Sequence, residues 1–169
     1  MRRPEAGEYG AFYKGYIDLT RGTGLLQNLQ DSGNSLLNTL QGLIPDKTDY
    51  AYAEGKWTVK QMLRHIIDCD VVFLYRAIHI ARGGEANLPG FDENLWAENA
   101  SVEKQDMENL VEDFRLLRNF IINTYRGFTP EMLNASGTAN NLPLSVLAQG
   151  FIIAGHTFHH SIILKERYL

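Results

Sequence analysis

Five histidines are the residues whose type and spacing could support chemistry in this chain. His65 and His79 lie in one stretch, and His156, His159 and His160 lie in another. On a helix, His156 and His160 would sit roughly 40° apart around the axis, so both imidazoles could bind one metal ion. His65 from a neighbouring helix would complete a three-histidine set that leaves coordination positions for water or substrate.

The elements that must position these histidines are helices. Apolar residues recur at helical spacing in four segments, over about 24–44, 58–82, 102–126 and 143–168. Thr58 and Gln61 form a capping box at the start of the second segment, Ser101 is the predicted N-cap of the third, and Pro143 lies in the first turn of the fourth. Short turns are predicted at 129–131 and within 91–100, and no alternating pattern predicts a strand.

These segments predict an all-α four-helix bundle with long connections. The chain of 169 residues fits one domain, 1–169, with the bundle core at about 24–168. On the second helix, His65 shares a stripe with Cys69 and Arg76, so it should face the bundle interior. Core histidines hydrogen-bonded to their neighbours are the alternative, but three on the inward faces of two helices favour a metal site.

Composition excludes several other classes of protein. The net charge of −4 and the absence of basic runs argue against nucleic-acid binding. No apolar stretch reaches the length of a membrane span, and no signal peptide is evident, so a cytoplasmic protein is expected. The single cysteine excludes an internal disulfide. The motifs of di-iron carboxylate bundles, zincins, serine hydrolases, P-loop proteins and Rossmann folds do not occur.

A resemblance to a known family lies in the stretch Trp57-Thr-Val-Lys-Gln-Met-Leu-Arg-His65-Ile-Ile-Asp68. It resembles the second helix of the DinB-like superfamily, whose members are metal-binding four-helix bundles. Tyr75-Arg76-Ala77 and the loop Leu88-Pro-Gly-Phe-Asp-Glu-Asn-Leu-Trp96 are similar to the same family, as is Gly155-His156-x-x-x-His160 in the fourth helix. One departure is Asp70, where related sequences often carry Glu.

The resemblance implies that His65, His156 and His160 bind a divalent ion, with water in the remaining positions. Nickel, zinc and iron all occur in the family, and imidazole suits each of them. Its characterised enzymes, thiol-dependent transferases and an isomerase, imply a metal that activates a low-molecular-weight thiol or water toward a small electrophile. The alternatives are a non-catalytic metal-binding or stress-related interaction protein, and a purely structural bundle. A homodimer is also expected.

The choice between the adjacent histidines of the fourth helix depends on the resemblance. His159 and His160 lie three and four residues after His156, so periodicity alone does not decide between them. The family pattern selects His160, and His159 should then pack beside the site. His79 lies off the His65 stripe and is expected to be an ordinary residue.

Four further residues have two interpretations each. Cys69 could ligate the metal, although a small buried cysteine is favoured. Arg76 could hold an anionic substrate group, although pairing with a carboxylate or reaching the bundle end is favoured. Asp68 either orients a ligand histidine or is an exposed charge. Trp96, with Phe91, either covers the metal pocket or closes the end of the bundle.

Overall fold

The computed structural model describes residues 2–42, 47–84 and 87–169. The helices are α1 (Lys14–Asp18), α2 (Leu25–Gln41), α3 (Val59–Ala81), α4 (Glu93–Asn99), α5 (Met107–Arg126), α6 (Pro130–Asn134) and α7 (Val146–Arg167). Short 3-10 turns cover Ala11–Tyr13 and Val102–Lys104. Three short strands are β1 (Asn87–Leu88), β2 (Ser136–Ala139) and β3 (Leu142–Ser145).

The long helices α2, α3, α5 and α7 form a four-helix bundle, which confirms the predicted fold class. α7 packs along both α2 and α3, and α5 packs against the same two helices. α7 is buried around most of its circumference because the N-terminal helix α1 covers another of its sides. Among the described helices, none has the length and apolar character that crossing a membrane requires.

Beside the bundle lies a small sheet, and the sequence patterns did not predict this sheet. β1 pairs in parallel with β2, and β2 pairs with β3 in an antiparallel hairpin. The hairpin turn is formed by Asn140 and Asn141, which both have positive φ, at 51° and 60°. Asparagine tolerates this conformation, but strands of two to four residues are too short to show an alternating pattern.

The sequence predicted α3 most accurately, because its start has a local signal. Thr58 accepts a hydrogen bond from the Gln61 backbone N–H, and the Gln61 side chain accepts one from the Thr58 backbone N–H. α2 begins at Leu25, beside the predicted Gly24, and ends at Gln41. The predicted end of the first helix, at Ile44 and Pro45, lies outside the described residues.

Two predicted helix starts were wrong. Ser101 has left-handed backbone with φ of 49° and makes no side-chain cap, whereas Asp106 caps α5 by accepting from two backbone N–H groups. Pro143 lies in β3, and Ser145 caps α7 by accepting from the Ala148 backbone N–H. In both places a second capping residue follows the predicted start, and the chain uses that second residue.

The N-terminal segment was not predicted as part of the bundle, yet it lies directly on α7. A Cβ atom at Gly155 would fall 2.0 Å from the Tyr16 carbonyl oxygen, so only glycine allows this approach. The contact places the Tyr16 ring 5.4 Å from the ring of His156. Packing of α1 therefore adds a wall to the region around the histidines.

Candidate metal centre

Packing of α3 against α7 brings three histidines together. The Nε2 atom of His65 lies 3.1 Å from Nε2 of His156, which in turn lies 3.1 Å from Nε2 of His160. His156 and His160 are one turn apart on α7 and share a face, as their spacing predicts. All three side chains are buried. The structure thus brings the three predicted ligand residues into one cluster, with His156 between His65 and His160.

Hydrogen bonding alone does not account for this cluster. A neutral imidazole has one N–H and one lone pair, so His156 Nε2 cannot form a full hydrogen bond with both neighbours at once. The Nδ1 atoms of His156 and His160 are buried and have no hydrogen-bond partner within the described part of the chain. Buried polar atoms are normally paired, but an ion bound at Nε2 would leave these Nδ1–H groups without acceptors too. The crowding of the Nε2 atoms, and not the Nδ1 atoms, therefore argues against a purely structural cluster.

The spacing of the nitrogens fits a metal ion. Two nitrogens bound to one zinc-like ion at about 2.0–2.1 Å would lie about 2.8–3.4 Å apart at ligand angles between a right angle and the tetrahedral value. The observed separations of 3.1 Å fall within this range. The donor set, three imidazoles, suits zinc, nickel and iron alike.

Burial keeps these imidazoles in the neutral form that can bind a metal. It lowers the pKa of His65 to about 4, with a smaller contribution from His159. Burial and the neighbouring histidines also lower the pKa of His156 and His160 well below the usual histidine value. At neutral pH each ring therefore has a lone pair available.

Cys69 lies next to the histidines and is a second candidate ligand. Its Sγ atom is 3.7 Å from both ring nitrogens of His65. Potential ligand atoms of His65, Cys69 and His156 all lie within 4.8 Å of one another. Burial raises the pKa of the Cys69 thiol far above its usual value, so without a nearby cation the sulfur is protonated.

A cavity of about 460 Å³ opens onto the histidines. Its walls are largely aromatic and include Tyr13, Tyr16, Trp57, Phe73 and Phe91. The Trp57 ring lies 4.6 Å from that of His65, and the Phe73 ring lies 5.7 Å from that of His156. Aromatic walls of this kind, which are common in small-molecule sites, limit the access of water to the side of the histidine cluster that faces the cavity.

Two of the remaining predicted site residues line this cavity. His159 is half-buried there, 5.3 Å from the Tyr16 ring and 5.0 Å from the His160 ring. Arg76 is buried in the wall, where its Nη2 donates to the carbonyl oxygen of Pro89 at 2.7 Å. The favoured carboxylate partner for Arg76 is not found among the described residues.

Asp68 and Trp96 lie outside the cavity. Asp68 accepts a hydrogen bond from Nε of Arg64 at 2.9 Å, so its carboxylate binds an arginine rather than a ligand histidine. Trp96 is 42% exposed and stacks against Phe91, which itself lines the cavity. The predicted covering role therefore belongs to Phe91, and Trp96 supports it from the outside.

Asp70, whose role the sequence left open, forms a buried ion pair. Its Oδ2 accepts from Nη2 of Arg118 at 2.7 Å, and the same guanidinium donates to Thr157 and to Ser32. Burial raises the pKa of Asp70 to about 6, and Arg118 opposes this shift. The cluster links α2, α3, α5 and α7 beside the histidines, since Thr157 directly follows His156.

Sequence reasoning missed Trp57, Tyr16 and Arg118. Trp57 immediately precedes the capping box that starts α3, and His65 follows about two helical turns later. The sequence therefore offered some indication that Trp57 lies near His65. Tyr16 offered none, because its place depends on a contact between distant segments. Arg118 lies among the apolar residues of α5, and a charge inside an apolar stripe signals a buried partner.

Comparison with known proteins agrees with this architecture. The pattern of the DinB superfamily matches residues 28–163, and the chain belongs to that superfamily. A protein of Oceanobacillus iheyensis named "Putative metal-dependent hydrolase" is 25% identical over 142 residues, which cover 83% of this chain and 81% of the relative.

A solved structure shares the fold. It is YfiT from Bacillus subtilis, called a probable metal-dependent hydrolase with an unusual four-helix bundle topology. It superimposes with a TM-score of 0.73 at 18% identity, covering 84% of this chain and 82% of that one. At 18% sequence identity, the similarity between the two structures shows only that they share the bundle topology.

Proposed function

We propose that this protein is a metal-dependent enzyme in which His65, His156 and His160 bind a divalent ion. The observation that carries the proposal is a buried histidine cluster on the wall of an open cavity, in which the Nε2 atoms of His65 and His160 each lie 3.1 Å from Nε2 of His156. When bound, the ion would lower the pKa of a coordinated water or thiol, so that a nucleophile forms near neutral pH.

The chain's own residues prepare this site in three ways. Burial keeps the imidazoles neutral, and their attachment to two packed helices fixes the separation of the nitrogens. The Asp70–Arg118 pair ties α3 to α5, and the bond from Arg118 to Thr157 ties α5 to α7. Aromatic walls from Trp57, Phe73 and Tyr16 restrict water around the cluster.

The nucleophile is water or a small thiol, and the electrophile is a small molecule. Water is supported by the name of the Oceanobacillus iheyensis relative. The thiol is supported by the activities that the family resemblance implies. Zinc, nickel and iron remain candidates for the ion, because three imidazoles accept each of them.

The test is turnover by the metal-loaded protein on two substrate panels. One contains activated esters and amides, and the other pairs small thiols with electrophiles such as 1-chloro-2,4-dinitrobenzene. We expect turnover on one panel with zinc, nickel or iron, and its loss both after chelation and in His156→Ala. Full metal loading without turnover on either panel would instead indicate a non-catalytic metal-binding protein.

A further inference from the structure

Arg76 is a buried cation in the wall of the metal cavity. The residue is only 3% exposed, and its guanidinium lies 5.9 Å from the ring centres of both Phe73 and Phe91. Its one hydrogen bond among the described residues goes from Nη2 to the Pro89 carbonyl oxygen. A guanidinium has five N–H donors and stays charged at physiological pH, so most of its binding capacity is unused.

No carboxylate forms an ion pair with Arg76 within residues 2–42, 47–84 and 87–169. Glu93 lines the same cavity but is solvent-exposed and does not pair with it. Arg118, the other buried arginine of the bundle, is by contrast paired with Asp70. A buried charge without a partner is costly, which suggests that an anion enters the cavity to meet it.

Arg76 and the histidines lie at different positions along one cavity. Arg76 follows His65 by eleven residues on α3, so about 16 Å of helix axis separates their Cα atoms. Helical side chains point toward the N-terminus, and the guanidinium accordingly lies near Phe73. Phe73 also packs against His156, whose ring is 5.7 Å away. One elongated molecule could therefore reach both Arg76 and the histidines.

We infer that Arg76 binds a carboxylate of the substrate while the histidine site holds its reacting end. The inference rests on the proposed function and adds a substrate class, a small carboxylic acid with several bonds between the acid and the reacting group. A monoanion is favoured because Arg76 is the only lysine or arginine that lines the cavity within the described residues, and Glu93 repels a dianion. Carboxylate oxygens also match the planar guanidinium in a bidentate arrangement.

The experiment uses pairs of ligands that differ only in the carboxylate. Protein loaded with Co²⁺ is titrated with 6-mercaptohexanoate and with 6-mercaptohexanol, and the absorption of the thiolate–cobalt bond reports binding. We expect the acid to bind about tenfold more tightly than the alcohol, the effect of a hydrogen bond to a charged group. Arg76→Met should remove the preference, whereas Arg115→Met, at an exposed arginine of α5, should keep it.

Each outcome is decisive. Equal binding of acid and alcohol by the wild type, or an unchanged preference in Arg76→Met, overturns the assignment. Stronger competition by inorganic phosphate than by acetate overturns the choice of carboxylate. If Arg76→Met does not fold, as judged by circular dichroism, Arg76→Lys and Arg76→Gln replace it, and only Lys should retain part of the preference.

Failure of the proposed function would be seen separately. If the wild type does not bind Co²⁺, the metal site is wrong, and Arg76 is then tested in the metal-free protein. Equilibrium dialysis of labelled hexanoate should show binding by the wild type that Arg76→Met loses. Absence of hexanoate binding there would overturn the Arg76 assignment as well.

Discussion

Replacement of the two adjacent histidines of α7 should have unequal effects on metal affinity. His160 Nε2 lies 3.1 Å from His156 Nε2, whereas His159 is half-buried beside Tyr16. His160→Ala removes one of three nitrogens from the cluster and should lower Zn²⁺ affinity by more than the roughly 10–100-fold typical of losing a supporting residue. His159→Ala leaves all three nitrogens in place and should change affinity by less than about threefold.

The assay is a competition titration of chelator-treated protein with Zn²⁺ and a chromophoric indicator. Thermal unfolding of each metal-free variant controls for loss of structure. A loss of affinity in His159→Ala that equals or exceeds the loss in His160→Ala would show that His160 is not the second ligand of α7. Cys69→Ala belongs in the same series, because Cys69 also lies near His65 and His156. Loss of binding in Cys69→Ala with retention in His160→Ala would replace the three-histidine set by His65, Cys69 and His156.

Three further predictions concern stability and assembly. The metal-free protein should lose stability as pH falls from about 6.5 toward 4, because the unfolded chain takes up protons at His65, His156 and His160, whose pKa values burial lowers in the folded chain. His65 alone contributes about 3 kcal/mol, and the raised pKa of Asp70 offsets part of the loss. Urea unfolding at a series of pH values measures the net loss. A pH-independent free energy of unfolding would contradict this. Asp70→Asn should cost about 3–5 kcal/mol by leaving Arg118 buried without its partner, whereas the double replacement Asp70→Leu with Arg118→Met should cost less in the same assay. Light scattering should give about twice the 19.1 kDa chain mass for the expected homodimer, and a mass near 19 kDa would contradict it.

The parts of the fold that could be predicted are those with local signals. The capping box located the start of α3, and helical periodicity placed His65 on its inner face. The spacing of four residues placed His156 and His160 on one face of α7. Helix geometry placed His65 and His156 on inward faces, but the choice of His160 over His159 came from the family resemblance, because periodicity alone leaves both open.

The remaining walls of the site depend on contacts between distant segments. Tyr16 reaches His156 because Gly155 lets the N-terminal backbone approach α7, and no periodicity reports such a contact. The hydrogen bond of Arg76 depends on the position of the Pro89 carbonyl. That position is set by the loop after β1, which pairs with β2 in the short sheet. Ser101 and Asp106 compete as caps, and propensity alone ranks them nearly equal.

The metal content of the purified protein decides whether the buried histidines form a metal centre. Protein produced without an affinity tag would be analysed by mass spectrometry of its elements, then stripped and titrated with Zn²⁺ and Ni²⁺. We expect close to one divalent ion per chain, restored by titration in the wild type and lost in His156→Ala. Less than about 0.2 ion per chain, with no binding on titration, would contradict a metal centre built from three histidines.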